Sequence, residues 1–381
     1  VLKIITIIGA RPQIIKAAAI SRAIKNHFSN KITELLVHTG QHYDENMSAI
    51  FFNELNIPRE HYNLQCGSGS HAEQTSEIIR KLEPILQNEK PHGMIVYGDT
   101  NSTLAGSLTA AKMHIPVVHI EAGMRSFNKT MPEEINRICC DHVSTLLFSP
   151  TLSGMQNLIR EGFNADAKAP FTINNPAIFH CGDVMFDNSI YFSEKAKRHS
   201  NILQKMDLKE GEFMLCTIHR DSNTDNADHL NAIFNALLQL TNIDSSKIII
   251  PLHPRTSKAL PKQLNPALLT EISNSQNLII TEPVSFLDMI RLESACKMII
   301  TDSGGVQKES YFFEKPCIIL RNETEWTELV EQGTAIITGP NEERIIKAYQ
   351  QLISSPLTFP PIFGNGKASE FICNEILKAL N

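Results

Sequence analysis

What this 381-residue chain lacks narrows its function before any motif is considered. It has no basic excess: 35 Lys and Arg stand against 41 Asp and Glu, a formal net charge of −6. Proteins that coat nucleic acid or other polyanions ordinarily show the opposite balance. Aromatics make up 7% of the residues with a single Trp326, so the core is expected to be aliphatic. The eight Cys are scattered without a CxxC pair, which argues against a disulfide framework and against a zinc site, and reduced thiols are expected. No apolar run approaches the ~18 residues that span a bilayer. The opening VLKIITIIGARP is too short and too soon broken to act as a secretory leader. The expected location is the cytoplasm. A Walker A sequence and an internal repeat are also absent. With 18 Gly and 19 Pro, the chain is neither collagen-like nor low-complexity.

What is present is a series of short apolar runs separated by helical patterns. KIITII (3–8), ELLVH (34–38), GMIVY (93–97) and PVVHI (116–120) occupy the first half. FMLCTI (213–218), KIIIPL (247–252), NLIIT (277–281), KMIIT (297–301), PCIIL (316–320) and AIIT (335–338) occupy the second. None alternates polar with apolar, as strands buried on both faces of a parallel sheet do not. Between them, Leu230, Ile233, Phe234, Leu237 and Leu238 mark one helical face, with Asp225 and Asn226 as candidate caps. Ile345, Ile346, Tyr349, Leu352 and Ile353 mark another. The pattern predicts an α/β protein of two Rossmann-like, doubly wound domains with a cleft between their carboxyl strand ends. The Pro- and Asn-rich stretch 165–183 holds the expected boundary, giving domains 1–172 and 173–361. A final helix within 362–381 is expected to pack back on the first domain.

Six stretches at expected strand ends could carry chemistry. Gly9-Ala10-Arg11-Pro12 leads into a helix containing Lys16, so Arg11 and Lys16 could hold a phosphate; a plain strand-to-helix turn is the alternative. In Gly98-Asp99-Thr100, Asp99 either caps the next helix or serves as a base. Glu121, in HIEAG, is expected to be a partly buried carboxyl perturbed by desolvation. Pro132-Glu133-Glu134 opens a helix that Arg137 continues; Pro at the first position and acids in the first turn also suit an ordinary well-capped helix. His219, in Thr217-Ile218-His219-Arg220, is a candidate proton donor or leaving-group contact, or else a satisfied core histidine. Finally, Asp302-Ser303-Gly304-Gly305 starts a helix whose free N–H groups suit a diphosphate, with Glu309 one turn deeper for ribose hydroxyls. Gly67-Ser68-Gly69-Ser70-His71-Ala72 formally fits a dinucleotide fingerprint, but it does not follow the first strand and is set aside.

Taken in order, GARPQIIK, HTGQHYDENM, YGDTNST, HIEAGMRS, MPEEINR, IHR and TDSGGVQKE resemble the non-hydrolysing UDP-N-acetylglucosamine 2-epimerase family across essentially the whole chain. The resemblance implies the glycosyltransferase-B arrangement of two Rossmann-like domains, a UDP-sugar substrate, a homodimer, and neither metal nor redox cofactor. By resemblance, Arg11, Lys16, His219, Ser303, Gly305 and Glu309 contact the nucleotide sugar. Asp99, Glu121 and Glu133 carry the proton chemistry, and Arg137 supports the acidic cluster. The chain departs from the usual GTRPE and TERPE patterns: it reads GARPQ, and Trp326 stands where TERPE has an Arg that contacts the nucleotide sugar. These departures look like the branch that epimerises UDP-2,3-diacetamido-2,3-dideoxy-glucuronate for surface polysaccharide. UDP-N-acetylglucosamine is the close alternative. A hydrolysing epimerase, a glycosyltransferase and a non-catalytic nucleotide-sugar sensor are the rival classes that fold alone does not separate.

Overall fold

The computed structural model describes residues 1–40, 59–354 and 356–380, so part of the HTGQHYDENM stretch, residues 41–47, lies outside the described residues. The chain forms two compact units, Val1–Asn188 with Pro361–Asn381, and Ser189–Pro360.

The first unit is built on a seven-stranded sheet of order β3-β2-β1-β4-β5-β6-β7. Its strands are β1 (Leu2–Ile8), β2 (Ile32–His38), β3 (Tyr62–Asn63), β4 (Gly93–Tyr97), β5 (Val117–Ile120), β6 (Leu146–Ser149) and β7 (Ala177–His180). Every pairing is parallel. Ile4, Ile5, Ile7 and Ile8 are all fully buried, which is why the first strand shows no alternation: both faces are covered by helices. The second unit has six strands in the order β10-β9-β8-β11-β12-β13, again all parallel. They are β8 (Phe213–Thr217), β9 (Lys247–Pro251), β10 (Leu278–Thr281), β11 (Met298–Thr301), β12 (Cys317–Ile319) and β13 (Ala335–Ile337). Asn226 caps the helix Ala227–Asp244 by accepting the His229 N–H, and its Leu230, Ile233, Phe234 and Leu237 are buried in the core. Of the second amphipathic face, Ile345, Tyr349 and Leu352 are buried while Ile353 is exposed.

The strand order reverses between β1 and β4 in the first sheet and between β8 and β11 in the second. At such a point neighbouring connections leave in opposite directions and open a crevice beyond the carboxyl ends, where ligands of these sheets bind. Register aligns the two ends. Thr217 pairs with Thr301, so His219 and Ser303 emerge level with each other.

The domain boundary falls later than residue 172. The break lies inside the helix Val184–His199, because that helix's start is tied to the first unit. The Asp187 carboxylate accepts the Ala368 and Ser369 N–H groups at 3.0 and 2.7 Å, anchoring the start of the helix Ala368–Leu380. Asn188 accepts a bond from Arg22 at 3.0 Å. The helix Ala368–Leu380 packs on the helix Arg11–Ala23.

The turn after β1 has no room for a side chain. A Cβ on Gly9 would sit 2.3 Å from both the Ser102 and Thr39 hydroxyl oxygens. Gly9→Ala should therefore lower the unfolding free energy by about 1–3 kcal/mol, read as a fall in the urea midpoint.

Candidate active site

Gln13, the fifth residue of GARPQ, sits under the switch point of the first sheet and is buried. Its side-chain oxygen accepts the Gly9 and Ala10 N–H groups at 2.9 and 3.1 Å, and its amide nitrogen donates to the Tyr97 carbonyl and the Thr103 hydroxyl, both at 3.0 Å. One amide thus ties the turn after β1 to the turn after β4. Only a group with both a donor and an acceptor can do this, and an ionised Glu has no donor. Sequence reasoning recorded Gln13 as a departure from GTRPE without assigning it a task.

Two cation–carboxylate pairs stand on this frame. Lys16, in the helix Arg11–Ala23, is paired with Glu121 just beyond β5, both with little exposure. Glu121 adopts φ +74°, a left-handed conformation that costs a non-glycine residue about 1–2 kcal/mol. Its N–H is held by the Phe148 carbonyl at 3.0 Å. Such strain concentrates at functional positions. The carboxyl is not alone in an apolar surrounding, as burial by itself suggested: the Lys16 ammonium is its counter-charge. Beside this pair, Arg137 bonds Asp99 and, at 3.0 Å, Glu134. Asp99 is not the helix cap. Thr100 caps the helix Asn101–Lys112 by accepting the Thr103 N–H, leaving the Asp99 side chain to Arg137. Asn136 holds the Asp99 carbonyl at 2.8 Å.

Of the adjacent acids in the helix Pro132–His142, Glu134 is the one built into the cluster. It is buried and accepts the Ser126 and Phe127 N–H groups at 2.9 Å each. Burial pushes its carboxyl up, but these bonds and Arg137 outweigh that and hold it below the ordinary range. Glu133 faces solvent, as does Arg11. The sequence pointed to Glu133 by motif, and helical geometry turns its neighbour inward.

Beneath these groups lies a wholly buried charge network. The His119 ring bonds Asp141 through Nδ1 at 2.7 Å and the Gly98 carbonyl through Nε2 at 2.9 Å. Asp141 also accepts from Arg125 at 2.7 Å and from the Gly123 N–H at 3.1 Å. Since both imidazole nitrogens face acceptors, both carry protons, and His119 is a buried imidazolium. Burial opposes that charge, while Cys140 and Asp141 more than offset it and place the His119 pKa well above its usual value. Burial likewise works against the Asp141 carboxylate, yet His119 and Arg125 bring it below the usual range. The network fixes the Gly98 carbonyl, and with it the start of the loop that presents Asp99.

In the second unit a buried carboxylate again organises the strand ends. Asp302 accepts the His219 and Arg220 N–H groups at 3.1 and 3.0 Å, the Asn223 amide at 3.0 Å, and faces His219 Nδ1 at 3.2 Å. The half-exposed His219 ring is thereby oriented beside the helix Gly304–Phe312, which Ser303 caps through the Val306 N–H. Neither Gly304 nor Gly305 has a left-handed φ. A Cβ on either would meet nothing nearer than 3.4 Å. The fold does not demand these glycines: neither position needs a positive φ or the absence of a side chain. Glu309 faces Glu293, a buried carboxyl that sequence reasoning missed; burial and the Glu309 charge push it well up. Among the described residues no cluster of three or more His, Cys, Asp or Glu could hold a metal ion, and no helix is long and apolar enough to cross a membrane.

A family model described as UDP-N-acetylglucosamine 2-epimerase matches residues 23–377. The chain belongs to that family. It is an isomerase of the 2-epimerase type. A UDP-N-acetylglucosamine 2-epimerase homolog of Methanococcus maripaludis is 45% identical, with 100% of both chains covered. The UDP-2,3-diacetamido-2,3-dideoxy-D-glucuronate 2-epimerase of Pseudomonas aeruginosa is 41% identical over 99% of this chain and 100% of its own. The crystal structure of the Methanocaldococcus jannaschii UDP-GlcNAc 2-epimerase, in complex with UDP-GlcNAc and UDP, superposes with a TM-score of 0.81 at 39% identity, covering 99% and 100% of the two chains. In this epimerase, then, the parts to which sequence reasoning assigned no task of their own are Gln13, Glu134, Asn136, Glu293 and the pairing of His119 with Asp141.

The buried pair makes a pH prediction whose sign can be worked out. A raised His119 pKa contributes stability that is complete below about 6.5 and is lost as pH rises through the folded value. A depressed Asp141 pKa contributes stability present above about 3.9 and lost as pH falls through the folded value. Stability should therefore be flat between those limits. Asp141→Asn should cost about 3–5 kcal/mol and make stability rise with pH up to about 6.5, where the wild type is flat, because a His left beside Arg125 folds best when neutral. Urea titrations from pH 5 to 8 check both.

Proposed function

We propose that the chain is a non-hydrolysing 2-epimerase of a UDP-2-acetamido sugar, with UDP-2,3-diacetamido-2,3-dideoxy-glucuronate as the favoured substrate. The observation that carries this reading is the pair of cation-held carboxylates, Lys16–Glu121 and Arg137–Asp99, at the switch point of the first sheet. The second unit complements it with a helix start whose glycines serve no folding need.

The chemistry explains why both sets are required. The hydrogen on C2 of the sugar lies beside no carbonyl, so a carboxylate does not simply remove it. When the C1–O bond breaks and its electron pair leaves with UDP, oxocarbenium character at C1 makes the C2 hydrogen acidic. A carboxylate takes that proton, and the C–H electrons form the C1=C2 bond of a glycal. A proton delivered to the opposite face of C2 then accompanies UDP as its oxygen returns to C1. The steps need an anion-stabilising site for the leaving diphosphate and more than one acid/base group around C2. Asp99, Glu121 and Glu133 serve as the acid/base set, with Lys16 as the counter-charge of Glu121 and Arg137 as that of Asp99. Ser303, Gly304 and Gly305 hold the diphosphate, His219 contacts the leaving group, Glu309 takes the ribose, and Arg11 adds a cation. The reading carries with it a cytoplasmic homodimer that feeds surface polysaccharide assembly.

The diacetamido-glucuronate is favoured by GARPQ, by Trp326 in place of Arg, and by the Pseudomonas relative that is named for acting on it. UDP-N-acetylglucosamine is the second reading, favoured by the names of the Methanococcus and Methanocaldococcus relatives.

NMR of the purified protein with each UDP-sugar in D2O should show a UDP-manno product carrying deuterium at C2. Product without C2 deuterium would falsify the elimination, and free sugar would mark a hydrolysing enzyme. Glu121→Gln and Glu133→Gln should each keep the fold and lose about 10²–10⁴ in kcat; full activity in either removes that residue from the mechanism. Gly304→Ala should leave stability unchanged or raise it by about 0.4–1 kcal/mol while weakening UDP binding in calorimetry.

A further inference from the structure

The loop that follows β12 lies over the start of the helix Gly304–Phe312, and it carries a cation that the motifs did not single out. Arg321 forms a two-pronged bond to Glu325, with NH1 to Oε2 at 2.8 Å and NH2 to Oε1 at 3.0 Å. This pair borders the helix start itself. From the point where a Cβ on Gly304 would lie, Glu325 Oε2 is 3.4 Å away, Arg321 NH1 3.8 Å and Trp326 Nε1 4.0 Å.

The loop is pinned there by three contacts. The Trp326 indole N–H donates to the Gly304 carbonyl at 3.0 Å. The Thr324 hydroxyl donates to the buried Gln307 side chain at 2.6 Å. The Lys308 ammonium, almost wholly buried, lies 4.3 Å from the centre of the Trp326 ring. Trp326, which stands where the TERPE pattern has an Arg, therefore holds the loop and covers Lys308 but brings no charge of its own. The cation at this edge is Arg321. A carboxylate at a helix start and gripped by a guanidinium has the local chemistry of a bound phosphate. Burial works against the Glu325 charge, but Arg321, with Arg220 contributing, keeps its carboxyl below the ordinary range.

We propose that Arg321 is a diphosphate-binding residue of this chain, and that Glu325 is its resident counter-anion, exchanged for the diphosphate when the nucleotide binds. The proposal rests on the reading that Ser303–Gly305 receives the diphosphate of a UDP-sugar. On binding, Arg321 transfers its two N–H bonds from the Glu325 carboxylate to phosphate oxygens. Glu325 moves outward, where it is already partly exposed. Guanidinium geometry suits both partners, so the exchange conserves hydrogen bonds and the more highly charged anion wins. Glu325 thereby selects for a diphosphate over ligands that bring less charge to this point.

The test is calorimetric binding of UDP, UMP, uridine and inorganic pyrophosphate to the full chain. Glu325→Gln should tighten UDP and pyrophosphate by about tenfold, since it removes a competing charged partner. Uridine should be unaffected. Arg321→Gln should weaken UDP and pyrophosphate by about 10- to 100-fold, again with uridine unchanged. In the Arg321→Gln background, adding Glu325→Gln should bring no gain, because the two side chains act through each other. Should Arg321→Gln unfold, Arg321→Lys takes its place; it keeps the charge, loses the fork, and should still abolish the Glu325 effect. Weakened or unchanged UDP binding by Glu325→Gln would overturn the proposal, as would a UDP Kd within twofold of wild type in the Arg321 variants. Protein that epimerises no UDP-sugar, yet whose UDP and pyrophosphate affinities follow Glu325 as described, would sink the epimerase reading and leave this one standing. Wild-type protein that binds neither UDP nor pyrophosphate would overturn both.

Discussion

A buried carboxylate bonded on all sides, in the last turn of a helix in one unit and at a strand end in the other, is the interaction on which the candidate site depends. In the first unit Asp141 collects His119, Arg125 and the Gly123 N–H. In the second, Asp302 collects two consecutive backbone N–H groups, the Asn223 amide and the His219 ring. Neither carboxylate has solvent contact, so each is tolerable only because its bonds are complete. That requirement makes them rigid. Removing one partner strands a charge in the interior, and the loop held there, that of Asp99 in the first unit or of His219 in the second, loses its support.

Fully parallel sheets make such anchors effective. Every strand of a unit delivers its carboxyl end to the same rim, and the reversal of strand order parts two neighbouring loops at one point. Gln13 bridges that parting in the first unit, joining the turns after β1 and β4 through a single amide. The charged groups above it are then distributed with their counter-charges in place: Lys16 with Glu121, Arg137 with Asp99 and Glu134. In the second unit the corresponding rim holds the helix start at Ser303 and the Arg321–Glu325 pair. The two rims therefore differ in kind. One carries cation-held carboxylates and the other a helix start beside a guanidinium–carboxylate pair, which on the proposed reading is the division of labour that an elimination from a nucleotide sugar needs.

Much of this was legible in the sequence. The apolar runs at 3–8, 93–97, 116–120 and 213–218 became the central strands, because runs buried on both faces have no polar partner positions to conceal them. The short strands β3, β6 and β7 escaped notice: two to four residues carry too little pattern. Candidate groups at strand ends were found because a Gly or an acid after a β-branched run stands out. Asp99 was ambiguous between cap and functional group, and Thr100 resolves it by capping in its place. The boundary was placed too early because residues 173–188 look like the loop-rich edge of a domain. Bonds from segments far along the chain, among them Asp187 to Ala368 and Ser369 and Arg22 to Asn188, tie them to the first unit.

The sequence by itself determined which residue types arrive at which strand ends, since that order follows from local periodicity and from the short turns that follow each run. It also determined the family, through an ordered set of motifs across the chain. Which of those residues meet was decided by tertiary structure alone. Adjacent Glu133 and Glu134 read alike, yet a helix turns only one of them inward to Arg137. The charge of His119 could not be read from its neighbours in sequence, because Asp141 and the Gly98 carbonyl come to it from other segments. Charge states and ion pairs depend on distances of a few ångströms between segments remote in the chain, and those distances are set only when the sheet has closed around its core.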